Sequence, residues 1–169
     1  MSELTSRERL QPSLLDRLTD NSVENRRESF DQQTLSMTQL RAAVLRDLTW
    51  LLNTTNLTTE DDLDGAPLAA ASTINYGVPG FTGMIGTEQR MSRLETAVAE
   101  AIRRFEPRIR PDTLRVKLRQ QDEEAPSASV IFEIHGELWA QPVPQQLFLE
   151  SAIEIETRMT VVTESRGRG

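Results

Sequence analysis

The sequence predicts an α+β fold: two main helices packed on one face of a three-stranded antiparallel sheet, preceded by an N-terminal arm. Three observations carry that expectation. Apolar residues recur at helical spacing in two stretches, near residues 36–52 and 87–105, and from Leu114 onward they alternate with polar ones. Pro107, Pro142 and Pro144 mark the places where the period changes or the chain breaks. Strands that follow one another with short connections form an antiparallel meander, which leaves one face for the helices. At 169 residues the chain is long enough for one domain with its own core. We place the arm at residues 1–34 and the α+β domain at 35–165.

The arm mixes charges and turn formers around a small apolar patch, Leu14, Leu15 and Leu18, with Pro12 placed to start a short helix. That patch is too small to form a core, so a docking role toward a partner is expected. The first strong helix opens at Ser36. Ser36 with Gln39 forms a capping box, Leu35 and Leu40 have staple spacing, and Met37, Leu40, Val44, Leu48 and Leu51 follow the helical period. Residues 54–86 then form a long connection with an acidic block, an Ala-rich piece that suits a helical turn, and Asn75-Tyr76-Gly77-Val78-Pro79. Loops this long are uncommon in compact domains unless packed or functional. Asn75, Tyr76, Gly77 and Pro79 are expected to be structural, with Gly77 left-handed in a turn and Tyr76, Val78 and Phe81 as anchors.

Thr87 suits an N-cap for the second helix, whose apolar stripe is Met91, Leu94, Val98, Ala101, Ile102 and Phe105. Pro107 ends it. Proline cannot continue a helix and drives the preceding residue from the helical region, so Glu106 and Arg108 sit on a stiff corner suited to a fixed polar contact. That contact is either inside the fold or with a partner chain. Leu114, Val116 and Leu118 then alternate with Arg115, Lys117 and Arg119, and Val130, Phe132, Ile134 and Leu138 with Glu133, His135 and Glu137. Leu147, Leu149, Ile153, Ile155, Met159 and Val161 read as one last long strand.

Composition removes whole classes of chemistry. Without cysteine there are no disulfides, iron–sulfur clusters or thiol nucleophiles, and a single His135 excludes multi-histidine zinc sites. The net charge of −7 argues against nonspecific nucleic-acid binding. Lys117 is the only lysine, so nearly all positive charge is guanidinium, which suits planar bidentate pairing. No stretch is long and apolar enough for a signal peptide or membrane span, and a cytoplasmic protein without membrane insertion is expected. Glu133 and Glu137 share a strand face about 13 Å apart at ordinary strand rise, too far for a glycosidase pair. Alternating polar residues on a solvent face account for the Glu-x-His-x-Glu row. Neither a phosphate loop nor a nucleophile elbow is present. No catalytic, metal or cofactor site is expected.

The order of several motifs resembles the TssE family, the baseplate wedge subunits of type VI secretion systems, and the related phage-tail wedge proteins labelled lysozyme-like. The matching pieces are Ser13–Asp20, Leu45–Asn53, Ser72–Pro79, Arg103–Ile109 and Phe132–Leu138, with Glu106-Pro107-Arg108 on the family's Glu-Pro-Arg signature. Thr73, Gly80 and Arg158-Met159-Thr160 depart from the family's pattern. The resemblance implies structural work. It implies contact with the wedge subunits TssF and TssG through Glu106, Pro107 and Arg108, with TssK a further neighbour. It also implies a strand edge, at Ile153 and Ile155, on which a TssB/TssC sheath begins. The alternatives are a peptidoglycan hydrolase, which the label implies and the residues do not support, and a cytosolic anti-adaptor regulator of the same fold.

Overall fold

A computed structural model of the chain describes residues 13–18, 36–80, 88–120, 129–139, 145–154 and 160–164. Within them lie the helices α1 (Leu14–Leu18), α2 (Met37–Leu52), α3 (Pro67–Ala70) and α4 (Glu88–Phe105), and the strands β1 (Arg115–Gln120), β2 (Ser129–Leu138), β3 (Gln145–Glu154) and β4 (Thr160–Glu164). The class is α+β, as the change of period predicts.

Helix α2 begins as its capping box dictates. Ser36 Oγ accepts from Gln39 N at 3.2 Å, and Gln39 Oε1 accepts from Ser36 N at 2.9 Å. Leu40, Val44, Leu48, Leu51 and Leu52 are buried along it, and Leu94, Val98, Ala101 and Ile102 along α4. These two stripes meet the inner face of the sheet, where Leu114, Phe132, Ile134, Leu138, Leu147 and Leu149 complete the core. Lys117 and His135 are exposed on the opposite face. Leu35, Phe81 and Thr87 fall outside the described residues.

The sheet has four strands where the sequence suggests three, in the order β1-β2-β3-β4 with every neighbour antiparallel. The last alternating run is a hairpin, not one long strand. Its pairing sets Ser151 opposite Val162 and Leu149 opposite Glu164. The inward face therefore passes from odd numbers on β3 (Leu147, Leu149) to an even one on β4 (Val162), which packs against the core. Apolar residues at 153, 155, 159 and 161 keep one parity through the run and so conceal the reversal.

The long connection is packed. It holds two 3₁₀ turns, Leu57–Thr59 and Thr73–Asn75, with α3 between them where the Ala-rich piece lies. Buried Asn75 ties it together. Its Oδ1 accepts from Thr58 N at 3.0 Å and Thr58 Oγ1 at 2.7 Å, while its Nδ2 donates to Ala70 O at 3.0 Å. Gly77 has φ +123°, and a Cβ there would lie 2.3 Å from Thr54 O. Only glycine fits, because Val78 N donates to Thr54 O at 2.9 Å and Asn56 N to Val78 O at 3.0 Å across that close approach.

Candidate functional site: the corner and its ion chain

Helix α4 makes its last backbone bond from Glu106 N to Ile102 O, so Glu106 continues the buried stripe although Pro107 has ended the helix. Its side chain points inward and the residue is 2% exposed. A buried carboxylate requires a partner, and the chain supplies one two residues later. Glu106 Oε1 accepts from Arg108 N at 3.1 Å and Arg108 Nε at 2.7 Å, and Oε2 accepts from Arg108 Nη2 at 2.5 Å. This is a bidentate fork closed across a single proline. Of the two contacts the sequence leaves open, the internal one is present.

The pair extends further. Arg108 Nη2 also donates to Asp47 Oδ2 at 2.5 Å, joining the corner to α2. Asp47 Oδ1 accepts from Arg46 Nε at 2.8 Å, and Arg46 Nη1 donates to Asp16 Oδ1 on α1 at 2.7 Å. Ser13 Oγ donates to Asp16 Oδ2 at 2.6 Å. Charge thus alternates along Glu106, Arg108, Asp47, Arg46 and Asp16, and one line of contacts links the corner, α2 and the arm. Arg108 Nη1 is buried without a hydrogen-bond partner among the described residues. Burial lowers the Arg108 pKa, but the Glu106 and Asp47 carboxylates outweigh it and raise the value above the ordinary range. Arg46 follows the same rule: burial opposes, Asp16 and Asp47 prevail, and its pKa rises. For Asp16, burial is outweighed by the Ser13 hydroxyl and the Arg46 guanidinium, which hold its pKa below the usual value.

The sheet clamps the corner from the other side. Trp139 N donates to Arg108 O at 2.7 Å, Arg110 N donates to Glu137 O at 2.9 Å, and Ile109 bridges Leu138. Gly136 makes room, since a Cβ there would lie 2.9 Å from Ile109 Cγ2. The packed loop abuts the same place. The Tyr76 ring meets Phe105 edge-on at 5.1 Å between centroids, and burial together with Asp47 and Glu106 raises its phenol pKa.

The arm patch lies on the outside. Asp16 turns α1's polar side toward Arg46, so Leu14, Leu15 and Leu18 are 71%, 43% and 74% exposed. The Arg46 guanidinium also lies over the Trp50 ring, 5.1 Å from its centroid, and Trp50 is half exposed. Pro107 is exposed, Arg108 is partly so, and Pro79 is partly buried beside the loop. Ile153 belongs to β3, which β2 and β4 flank on both sides, so the sheet's outer edge is β4 and not the strand of Ile153. Ile155 lies outside the described residues.

Asp16, Arg46 and Asp47 fall within the motif pieces Ser13–Asp20 and Leu45–Asn53, yet motif reading assigns none of them a contact. The signal for Asp47 was present: it falls seven residues after Leu40 and four before Leu51, a charge inside an apolar stripe. In the Glu-x-His-x-Glu row, Glu137 is engaged by Arg110 Nη1 at 3.1 Å and Gln146 Nε2 at 2.8 Å. Among the described residues no cluster of three or more His, Cys, Asp or Glu is suited to hold a metal ion. No helix there is long and apolar enough to cross a membrane.

Residues 38–143 match the family described as Baseplate wedge protein gp25. No curated protein matches the chain. Among solved structures, a chain of "The baseplate complex from the type VI secretion system" is similar at 17% identity and a TM-score of 0.47, covering 69% of this chain and 96% of that one. The family match spans more than half of the sequence, including the corner, Asp47 and Arg46. This chain belongs to the baseplate wedge protein gp25 family.

Proposed function

From that membership we propose that the chain is a TssE-type wedge subunit of a type VI secretion baseplate, acting through interfaces and not as an enzyme. Its partners are TssF and TssG, with TssK nearby, and it helps to start the TssB/TssC sheath. It works in the cytoplasm, where the baseplate meets the inner face of the inner membrane. Residues 35–165 are the wedge domain, and residues 1–34 the docking arm.

The observation that carries the reading is the family match over residues 38–143. The ion chain supports a division of labour within it. Glu106 is buried and spends both oxygens on Arg108, so its role is to orient the guanidinium, while Pro107 and the partly exposed Arg108 form the outer side of the corner. The outward leucines of α1 offer an apolar contact of the kind that partners cover.

Co-expression with TssF and TssG, followed by size-exclusion chromatography, tests the proposal. The wild-type chain is expected to elute with both subunits. Leu14→Ser with Leu18→Ser should weaken that co-elution while leaving the melting temperature of the isolated chain unchanged, since both side chains are mainly exposed. Elution of the wild-type chain alone would remove the baseplate assignment. Lysis in a peptidoglycan zymogram, abolished by changing one carboxylate, would replace it with the hydrolase reading.

A further inference from the structure

A carboxylate has two oxygens and a single charge, and two guanidinium groups that share it divide that charge between them. Asp47 is placed in this way. Its Oδ1 lies 2.8 Å from both Arg46 Nε and Arg46 Nη2, and its Oδ2 accepts from Arg108 Nη2 at 2.5 Å. Each arginine meets a second carboxylate on its far side, Asp16 at Arg46 Nη1 and Glu106 at Arg108. The two far ends differ in how they are held. Glu106 is buried in the core, whereas Asp16 belongs to a five-residue helix whose three leucines are exposed. Helices this short do not persist without tertiary support, and burial gives α1 little of it. The Asp16–Arg46 pair is itself partly solvated, with side chains 13% and 34% exposed, and pairs open to water hold weakly. A charge one link away is then enough to change how firmly α1 is held.

We infer that Asp47 relays charge between the corner and the arm, so that drawing Arg108 off Asp47 loosens α1 from α2. With Arg108 in place, part of the Asp47 charge is neutralised on that side, and Arg46 keeps positive charge for Asp16. With Arg108 withdrawn, Asp47 faces Arg46 alone. It then offsets the Arg46 charge and repels the like-charged Asp16 beyond it, and the attachment of α1 weakens. Linkage makes the relay reciprocal: securing α1 on Arg46 favours the Arg108–Asp47 contact. The ligand chemistry that works the relay is a carboxylate reaching the outer side of the corner, because it competes with Asp47 for the same guanidinium. Arg110 stands outside the relay, since its partners are Asp112 and Glu137. The contacts all lie within one chain, so the relay and the baseplate assignment stand or fall separately.

Native-state digestion of the purified chain by trypsin tests the relay. Arg17 lies inside α1, and cleavage after it, followed by mass spectrometry, requires the helix to open. At low protease the initial rate follows the population of the open arm. Arg26→Gln and Arg27→Gln, present in every sample, remove the tryptic sites between α1 and α2. Cleavage after Arg103, inside α4, reports global opening in the same digest. Arg108→Gln should speed the cut after Arg17 roughly two- to fivefold, the lower part of the range for residues in one charge network. The cut after Arg103 should stay too slow to account for that rise. Asp47→Asn keeps an oxygen for Arg46 Nε but removes the charge, which leaves the whole Arg46 charge to Asp16, so the arm cut should slow. A merely structural Asp47 predicts the opposite sign. Arg110→Gln should leave the arm cut unchanged. An unchanged arm cut in Arg108→Gln overturns the relay, and so does a rise that cleavage after Arg103 matches. Asp47→Asn cut at the wild-type rate or faster overturns it too, as does a rise in Arg110→Gln equal to that in Arg108→Gln.

Discussion

Replacing Arg108 by alanine removes the central member of the ion chain and leaves Glu106 behind. Glu106 is 2% exposed and would lose two hydrogen bonds, and Asp47 would lose one; the bond from the Arg108 backbone N–H to Glu106 is the one that alanine retains. Breaking one partner of a buried pair typically costs about 3–5 kcal/mol. The lower end applies here, because the Arg108 and Asp47 side chains keep 20% and 24% of their surface and water softens the loss. A cost of about 3 kcal/mol is a large share of a typical domain stability of about 5–15 kcal/mol, and lowers the melting temperature by roughly 6–12 °C at this chain length. The variant should therefore remain folded at 20 °C with a native circular dichroism spectrum and a clearly reduced urea midpoint. Arg108→Lys should recover only part of the loss, since an ammonium cannot satisfy both carboxylate oxygens and Asp47 together. Replacing Glu106 and Arg108 together by leucine should cost less than Arg108→Ala alone, because no charge is then stranded. An Arg108→Ala protein with the wild-type urea midpoint would refute the argument. Binding by this variant must be measured where it is folded, so that lost co-elution with partners reports the interface.

Two further outcomes follow from the loop and the arm. Gly77→Ala forces a Cβ against Thr54 O in a conformation that side chains rarely adopt, and should cost about 2 kcal/mol or more, read as a lower urea midpoint; an unchanged midpoint would show that the loop clasp is not formed. Asp16 has its folded pKa below the ordinary 3.8, so its contribution to holding α1 is complete above that value and is lost as pH falls through the lower folded value. A fluorophore on α1 should become more mobile only below about pH 4, and in Asp16→Asn it should be mobile at neutral pH; anisotropy that stays constant in both cases would remove the salt-bridged attachment.

The helices were legible because period and cap agree: Ser36 and Gln39 mark where α2 starts, and Pro107 marks where α4 stops. Leu114 to Leu138 was legible from strict alternation. The final hairpin was not, since the apolar residues keep one parity through the run while the inward face changes from odd to even numbers across the turn. Glu106 and Arg108 could be named from the proline between them. Their tie to Asp47 bridges 61 residues of sequence, and no local pattern encodes such a distance. A carboxylate inside a leucine stripe was the one available sign of it. The bond from Leu118 N to the Glu95 carboxylate was equally hidden, because Glu95 reads as one charge among several on a solvated helix face.

The wide sequence separation of Asp47 from Arg108 also has a kinetic meaning. The sheet is a meander of successive hairpins and α4 directly precedes β1, so their contacts close short loops and form early. Helix α2 lies far upstream and must return across the long connection, a slower closure that is more costly in chain entropy. On that order the guanidinium bridge is expected to form after the rate-limiting barrier. Interactions made late hold the folded state mainly by slowing its escape. Loss of Arg108 should accordingly change the refolding limb of a chevron little and appear as faster unfolding, which makes this corner a brake on opening.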